Sequence, residues 1–379
     1  MAKAFFGLGV TTGTYADRLA LTSPTLGALF YQTDTDEYVK YATDLDGTAR
    51  WMQADHDYGR SLIINGGLDI WQRGFSFNMN TTPYYSADRW QIVRASAVAG
   101  GTASRQASGL DGFTYCARVQ RDNGNAATNG MWMATSFETV NVKRVQTKYL
   151  TFSFWARAGS NYSSASNALT VEIIGGTGTD GSIGFGFTSS TTVATNTATL
   201  TTSWKRFTLT TSAVLPNTTT QLGVRLSYTP VGTASTNDYF EATGLQLEAG
   251  TAPSDFEYRE FGDELRRCQR YYFRNTTDAN YSSIAVGASY STSAAICPVI
   301  LPVKLRVAPT GNPEFASLRA WNPISGNAPA VTGVSYDWAS STVCAVAISS
   351  AGTPFTSGTT VLLQGNNTTG AYLGISAEL

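Results

Sequence analysis

Thr151-Phe152-Ser153-Phe154-Trp155 alternates hydroxyl and aromatic side chains and closes on a second ring type. Successive side chains of an extended chain point to opposite faces, so this run places rings on a core and hydroxyls on the other side. Val224-Arg225-Leu226-Ser227-Tyr228 has the same period. Working outward, strand-like runs occur at Ser61–Ile64, Trp90–Val93, Phe113–Val119, Tyr149–Ala156, Ala168–Ile174, Lys205–Thr210, Gln221–Tyr228 and Tyr239–Leu247. Gly, Asn, Ser and Thr clusters separate them, as at Gly175–Gly186 and Pro216–Thr220. No long segment here has a helical period. Many short strands with regular turn signals predict a β-sandwich or jelly roll over 61–260.

The flanks differ. In residues 1–60, Leu29–Thr33 and Tyr38–Tyr41 flank an Asp-rich turn and read as a hairpin. The segment has too few apolar residues to close a core alone. Its aromatics are expected to bury against copies of itself or a docking partner. Over 261–272, Phe261, Leu265, Cys268 and Tyr272 recur at helical spacing, with Asp263 as the expected cap and Arg266, Arg267 and Arg270 late. This short helix is a linker packed on a domain or a short trimer seam; two turns do not decide between them. Residues 273–379 return to strands, with Pro298, Pro302, Pro309 and Pro313 disfavouring central-strand positions. The expected fold class is therefore all-β, with a small β-sandwich tip at the C-terminal end.

Composition narrows the function. Charged residues make up 14% of the 379, against about 25% in an average globular chain, and the net charge is -1. That leaves no broad positive face for nucleic acid. No apolar run reaches the ~18 residues of a membrane span, and no signal peptide is read at Met1-Ala2-Lys3. Cys116, Cys268, Cys297 and Cys344 lack metal-site spacing and are expected to be buried free thiols. The single histidine, His56, lies in Asp55-His56-Asp57 and reads as exposed linker, which disfavours a histidine-based hydrolase. Asp44-Leu45-Asp46-Gly47 is a turn rather than a calcium loop, and Gly175-Gly176-Thr177-Gly178 is no phosphate loop.

Several stretches are more specific. Ile63-Ile64-Asn65-Gly66-Gly67-Leu68-Asp69-Ile70-Trp71-Gln72-Arg73-Gly74 resembles the opening of a jelly-roll module common in bacteriophage tail fibres, and Tyr85-Ser86-Ala87-Asp88-Arg89-Trp90 resembles its second signature. Phe152–Ala158 resembles its central strand and Trp204–Phe207 a later one. The closest match runs from Gly244-Leu245-Gln246-Leu247-Glu248-Ala249-Gly250 through Phe256-Glu257-Tyr258-Arg259 to Tyr272. Gly27–Asp36 resembles, less specifically, the hairpin repeats of fibre attachment regions. The resemblance implies a tail fibre or receptor-binding protein with a carbohydrate-binding-module-like jelly roll. It implies a homotrimer located in the virion, made in the host cytoplasm. Residues 1–60 would then attach to a phage tail or capsid protein, 61–260 form the jelly roll, 261–272 link, and 273–379 form the tip.

The implied function is non-enzymatic adsorption to host surface polysaccharide or lipopolysaccharide through weak multivalent contacts. The alternatives are a head fibre or capsid decoration, and a glycan-degrading tailspike. No carboxylate pair for glycoside hydrolysis is legible. Loops on a rigid scaffold carry recognition, so Tyr290, Trp321 and Trp338 in the tip are the receptor candidates; Trp90 and Trp155 are expected in the core. No cofactor or membrane insertion is expected. Similar jelly rolls sometimes carry a structural calcium, for which Glu241 and Glu248 are the oxygen ligands on offer.

Overall fold

The computed structural model describes residues 9–54, 59–95 and 100–379; Asp55-His56-Asp57 lies outside them. The chain divides into two compact units, Met1–Arg259 and Glu260–Leu379. Among the described residues, no helix is long and apolar enough to cross a membrane.

The first unit opens with a four-stranded sheet: β1 Val10–Gly13, β2 Leu29–Gln32, β3 Glu37–Thr43 and β4 Ala49–Gln53, in that order. The expected hairpin is β2–β3, turning at Asp36, whose φ of 57° suits an Asp. β1 joins β2 in parallel across helix α1, Tyr15–Leu19, which Thr14 and Asp17 cap reciprocally. This sheet is too small for a core of its own and closes on the sandwich. Phe30 and Val39 are buried with Ala252, and Trp51 packs against them. The surface expected of a copy or partner is thus supplied in part by the same chain.

The sandwich follows. Its strands are β5 Ser76–Asn78, β6 Tyr84–Tyr85, β7 Gln91–Arg94, β8 Gly101–Leu110, β9 Phe113–Arg121, β10 Met131–Phe137, β11 Leu150–Ala158, β12 Ala168–Gly176, β13 Thr191–Thr199, β14 Lys205–Thr210, β15 Gln221–Tyr228 and β16 Tyr239–Ala249. One helical turn, α2 Thr139–Val142, intervenes. One sheet has the order β13-β12-β15-β10-β7-β6 and the other β14-β11-β16-β9-β8-β5. Consecutive strands mostly cross between the sheets, as the jelly-roll reading requires. Phe152, Phe154, Phe240, Leu245, Leu247, Val224 and Leu226 fill the space between. Trp90 also lies in that core; Trp155, expected there too, is buried instead on the outer side of its strand, in the same alternation as Arg157, because Phe152, Phe154, Ala156 and Ala158 take the inner positions.

The quoted signatures prove to be clasps. Asn65, at φ 59°, donates through Nδ2 to the Ile70 and Asp88 carbonyls at 2.8 and 3.0 Å, and its Oδ1 accepts from Ile70 N–H at 3.0 Å. Its own carbonyl accepts from the Trp90 indole at 3.1 Å, and Trp71 donates to Leu68 at 2.7 Å. Gly66 permits the closest approach: a Cβ there would lie 2.1 Å from the Leu245 carbonyl oxygen. The other end is sealed by Gln246, which donates to Glu248 and Ser254 and accepts from Glu257 N–H. Arg259 donates to the carbonyls of Ser61 and Ile63, both at 2.9 Å, fastening the first segment beside the last strand.

The second unit begins with α3 Phe261–Gln269. Its cap is Glu260, accepting from Asp263 N–H at 3.1 Å, rather than Asp263. Its strands are β17 Tyr272–Thr276, β18 Ser283–Ser289, β19 Ala294–Ile300, β20 Glu314–Ala316, β21 Leu318–Trp321, β22 Val331–Ala339, β23 Val343–Ser350, β24 Thr360–Gly365 and β25 Tyr372–Ser376. A three-stranded sheet, β17-β25-β20, packs with a six-stranded one, β21-β24-β18-β19-β23-β22. Pro298 does enter an inner strand, contrary to the expectation. It sits where β19 still pairs with β23, at Ala345, after the β18 pairing has ended at Ile296, so no ladder bond misses its N–H.

Candidate glycan-binding surfaces

The tip candidates do not form one site. Tyr290 follows β18 and Trp321 ends β21. Both flank the Thr356–Thr359 turn, which is held by Ser357 Oγ on the Tyr290 carbonyl and by Asn322 on Thr359 at 2.8 Å. Trp338 pairs with Ala345, towards the opposite end of the sheet. Tyr290 and Trp338 are exposed and Trp321 is half-buried.

The calcium reading is corrected by the partners of its two carboxylates. Glu241 is buried between two guanidiniums: Arg118 donates to Oε1 through Nε at 2.9 Å and Nη2 at 2.6 Å, and Arg157 donates to Oε2 at 2.6 Å. Positive charge already fills the place of a cation. Glu248 accepts from Ser254 N–H and Oγ at 2.9 and 2.7 Å and from Gln246. Its oxygens belong to the seal of the sandwich. Among the described residues no cluster of metal-ligating side chains occurs.

Each sandwich sheet turns an outer face from the core, and each face is half covered. On the β12–β15–β10 sheet, the loop around Ile183 and Phe187 covers Ala134 and Ile174. The uncovered half carries Arg225 and Glu172, with Trp132 at the boundary, partly buried against the covering cluster. The core residues Met131, Met133, Val171, Val224 and Leu226 fix these three outward by alternation. Arg225 and Glu172 are register partners, joined Nε to Oε2 at 2.7 Å, and the guanidinium carbon lies 5.9 Å from the centre of the Trp132 ring. Ser227 stands between Thr170 and Trp132 in the next row. A half-exposed ring, a donor–acceptor pair and two hydroxyls thus share one rigid face. Trp132 was legible only as a residue type; the alternation of Met131-Trp132-Met133 was its positional signal.

On the other sheet, Arg206 is buried under the N-terminal sheet, donating to Asp44 at 3.0 Å, and Arg50 donates to Asp46 at 2.7 Å. The open half holds Arg118, Glu241 and Arg157. Cys116 lies buried nearby; burial, and then the Glu241 charge, pushes its thiol up to about 12. All four cysteines are buried and none forms a disulfide.

No family model matches the chain, and no curated protein does. Among solved structures, the chain is similar to the enzymatically active domain of tailspike protein 4 of bacteriophage CBA120, at 8% identity and TM-score 0.32, over 50% of this chain and 21% of that one. The match therefore spans about a fifth of that domain's chain. It is also similar to TmCBM61 bound to β-1,4-galactotriose (9% identity, TM-score 0.30, 51% of this chain and 100% of that one). A cyclase from Fischerella sp. TAU is similar at 13% identity and TM-score 0.33, over 51% of this chain and 98% of that one.

Proposed function

We propose that this chain is a non-catalytic fibre subunit of a bacteriophage virion that adsorbs to host-surface glycan. The observation that carries the glycan reading is the open half-face with Trp132, Arg225 and Glu172. A pyranose offers an apolar ring face and a rim of hydroxyls. An indole takes the first, and a guanidinium, a carboxylate and the Thr170 and Ser227 hydroxyls take the second. Such single contacts are weak, and several copies bring avidity. The tail-fibre signatures support the virion reading, with residues 1–60 as the attachment end.

Support for self-association comes from the second unit. Its core positions Cys297, Val299, Cys344, Val346, Val361 and Leu363 turn Ile296, Pro298, Ile300, Val343, Ala345, Ala347 and Leu362 to the outer face. Ile300 is 81% exposed, Val286 56% and Trp338 51%. The four middle strands contribute no charged side chain there, and the Arg319 guanidinium, laid on Gln364, bounds the face at one edge, so a copy of the same face meets an apolar centre. We assign this face to the expected homotrimer, and Trp338 to it rather than to a receptor. Tyr290 and Trp321 remain a second, distal contact for the receptor.

The test is glycan-array binding of the full chain beside Trp132→Ala, with melting temperature as the control for folding. Binding by the wild type, and its loss in a folded Trp132→Ala, is the expected result. Equal binding by both removes the site. Release of reducing ends from a bound polysaccharide would replace the adhesive reading with the tailspike one.

A further inference from the structure

Four neighbouring strands of the second sandwich sheet carry one row of side chains on the open half of their outer face. Arg157 and Glu241 are register partners, as are Glu241 and Arg118, so β11, β16 and β9 contribute Arg157, Glu241 and Arg118 in line. Ala156, Ala158, Phe240, Ala242, Ala117 and Val119 belong to the core, which turns all three outward. Trp204, just before β14, extends the row: the Arg157 guanidinium carbon stands 4.7 Å from its ring centre. Its indole N–H is held by the Ser108 carbonyl at 2.9 Å. Arg118 on β9 ends the row, and Tyr239, two residues before Glu241 on β16, flanks it along the strand direction, 3.9 Å from the Arg118 guanidinium carbon. Four strands at about 4.8 Å spacing make the row roughly 14 Å long.

Its charge does not balance. Two guanidiniums share one fully buried carboxylate. A purely structural pair would need one of them. Arg157 spends its Nε on Glu241 and Arg118 its Nε and one Nη. The remaining Nη groups have no hydrogen-bond partner among the described residues, and both side chains stay about a quarter exposed, at 27% and 23%. Glu241 and the two rings hold the guanidiniums flat and in place, which lowers the entropy lost when an anion docks. Planar guanidinium edges match a carboxylate or phosphate by paired N–H donors.

We propose that this row binds an anionic saccharide, through its carboxylate or phosphate groups, with Trp204 bounding the sugar at one end and Tyr239 flanking it beside Arg118. The inference rests on the glycan reading and names a ligand class for it. It is separate from the Trp132 face, which has its own carboxylate for its one guanidinium.

The experiment is titration calorimetry of the full chain with three probes: hexagalacturonate, poly(glycerol phosphate), and neutral β-1,4-galactotriose. Expected is binding of at least one anionic probe that weakens with salt. Arg157→Gln should weaken it about tenfold, the equivalent of one charge-assisted hydrogen bond. Glu241→Gln should tighten it, because the two guanidiniums are then uncompensated; a merely structural ladder would lower the melting temperature and leave affinity unmoved. Arg157→Lys keeps the pairing with Glu241 but loses the planar fork, so it tests the site even where Arg157→Gln fails to fold; it too should bind less. Binding of the neutral probe alone, or anion affinities unmoved by Arg157→Lys and Glu241→Gln, overturns this inference and leaves the glycan reading standing. Binding of no probe counts against both. The two anionic probes separate a uronate-bearing from a phosphate-bearing source.

Discussion

The open sheet faces of the central sandwich point Arg118, Arg157, Arg225 and Glu172 outward, whereas the four middle strands of the six-stranded C-terminal sheet point Val286, Ala288, Ile296, Pro298, Ile300, Val343, Ala345 and Ala347. Inside, the contrast reverses. The sandwich buries charged and amide side chains in hydrogen-bonded clusters, among them Arg121 with Asp238, Glu248 with Gln246, and Asn65 with its carbonyl partners. The core of the C-terminal unit is Ala, Val, Ile, Leu, Phe355 and buried thiols, and the amides it buries are Asn322 and Gln364. A region that spends its polar groups on its own closure is specified by itself. A region with fewer buried charges and an apolar outside offers a surface to another molecule. On the proposed reading the first region takes the ligand and the second associates.

The contrast breaks most directly at Arg121. Its Nη groups donate to Asp238 at 3.0 Å, to Ser163 at 3.0 Å and to the carbonyls of Asn125, Ala127 and Gly232 at 2.6 to 3.1 Å, and both charged residues are fully buried. Arg121→Ala leaves the Asp238 charge without its ionic partner. The cost is about 3–5 kcal/mol of sandwich stability, read by denaturant unfolding. A loss below about 1 kcal/mol would mean that the buried polar clusters do not specify this region.

Asn65→Ala is next. It removes three hydrogen bonds and puts a residue with no local partner at a left-handed position, for about 2–4 kcal/mol. Asn65→Gly keeps the backbone freedom and should recover part of that loss. If it recovers none, the hydrogen bonds carry the whole effect.

On the other side of the comparison, Ile300→Asp should leave the melting of a monomer nearly unchanged, since the side chain is 81% exposed. Light scattering should nevertheless show the trimer of the wild type dissociating. A wild-type monomer, or an Ile300→Asp trimer, would end the assignment of this face.

How much of this could be read from the chain depended on alternation. Phe152-Ser153-Phe154 and Leu222–Tyr228 carry the period of two and lie where expected. Thr191–Thr199 is nearly all threonine, alanine and asparagine along an exposed edge, and has no apolar face to betray a strand. Gly101–Leu110 is built of small and polar residues with little apolar alternation, and in Met131–Phe137 the alternation of Met131-Trp132-Met133 is blurred by burial of both faces beyond it. The clasp motifs were legible as a resemblance, but their chemistry was not: Asn65 and Trp90 meet across 25 residues. The site fared similarly. Arg118, Glu241 and Arg157 are ordinary charges in three separate strands, and only register brings them into line. Acidic sparsity drew attention to Glu241, and its two arginines changed its meaning.

The smallest expected effect concerns the seal, and pH exposes it. Burial opposes ionisation of Glu257, but the N–H groups of Ser61 and Gly59 and the Arg259 guanidinium outweigh it, holding the carboxyl below its ordinary value of 4.5. A carboxyl depressed in the folded state contributes stability above its unfolded value and loses it as pH falls through the folded one. The seal between residues 59–63 and 257–259 should therefore weaken as the medium is acidified below about 4.5. Glu257→Gln keeps the shape and removes the charge, so it should lower the melting temperature at pH 7 and make the acid limb shallower. Stability changes in the C-terminal unit, followed separately by hydrogen exchange, should be insensitive to this substitution. Equal acid sensitivity in wild type and Glu257→Gln would place the sandwich's acid response outside this seal.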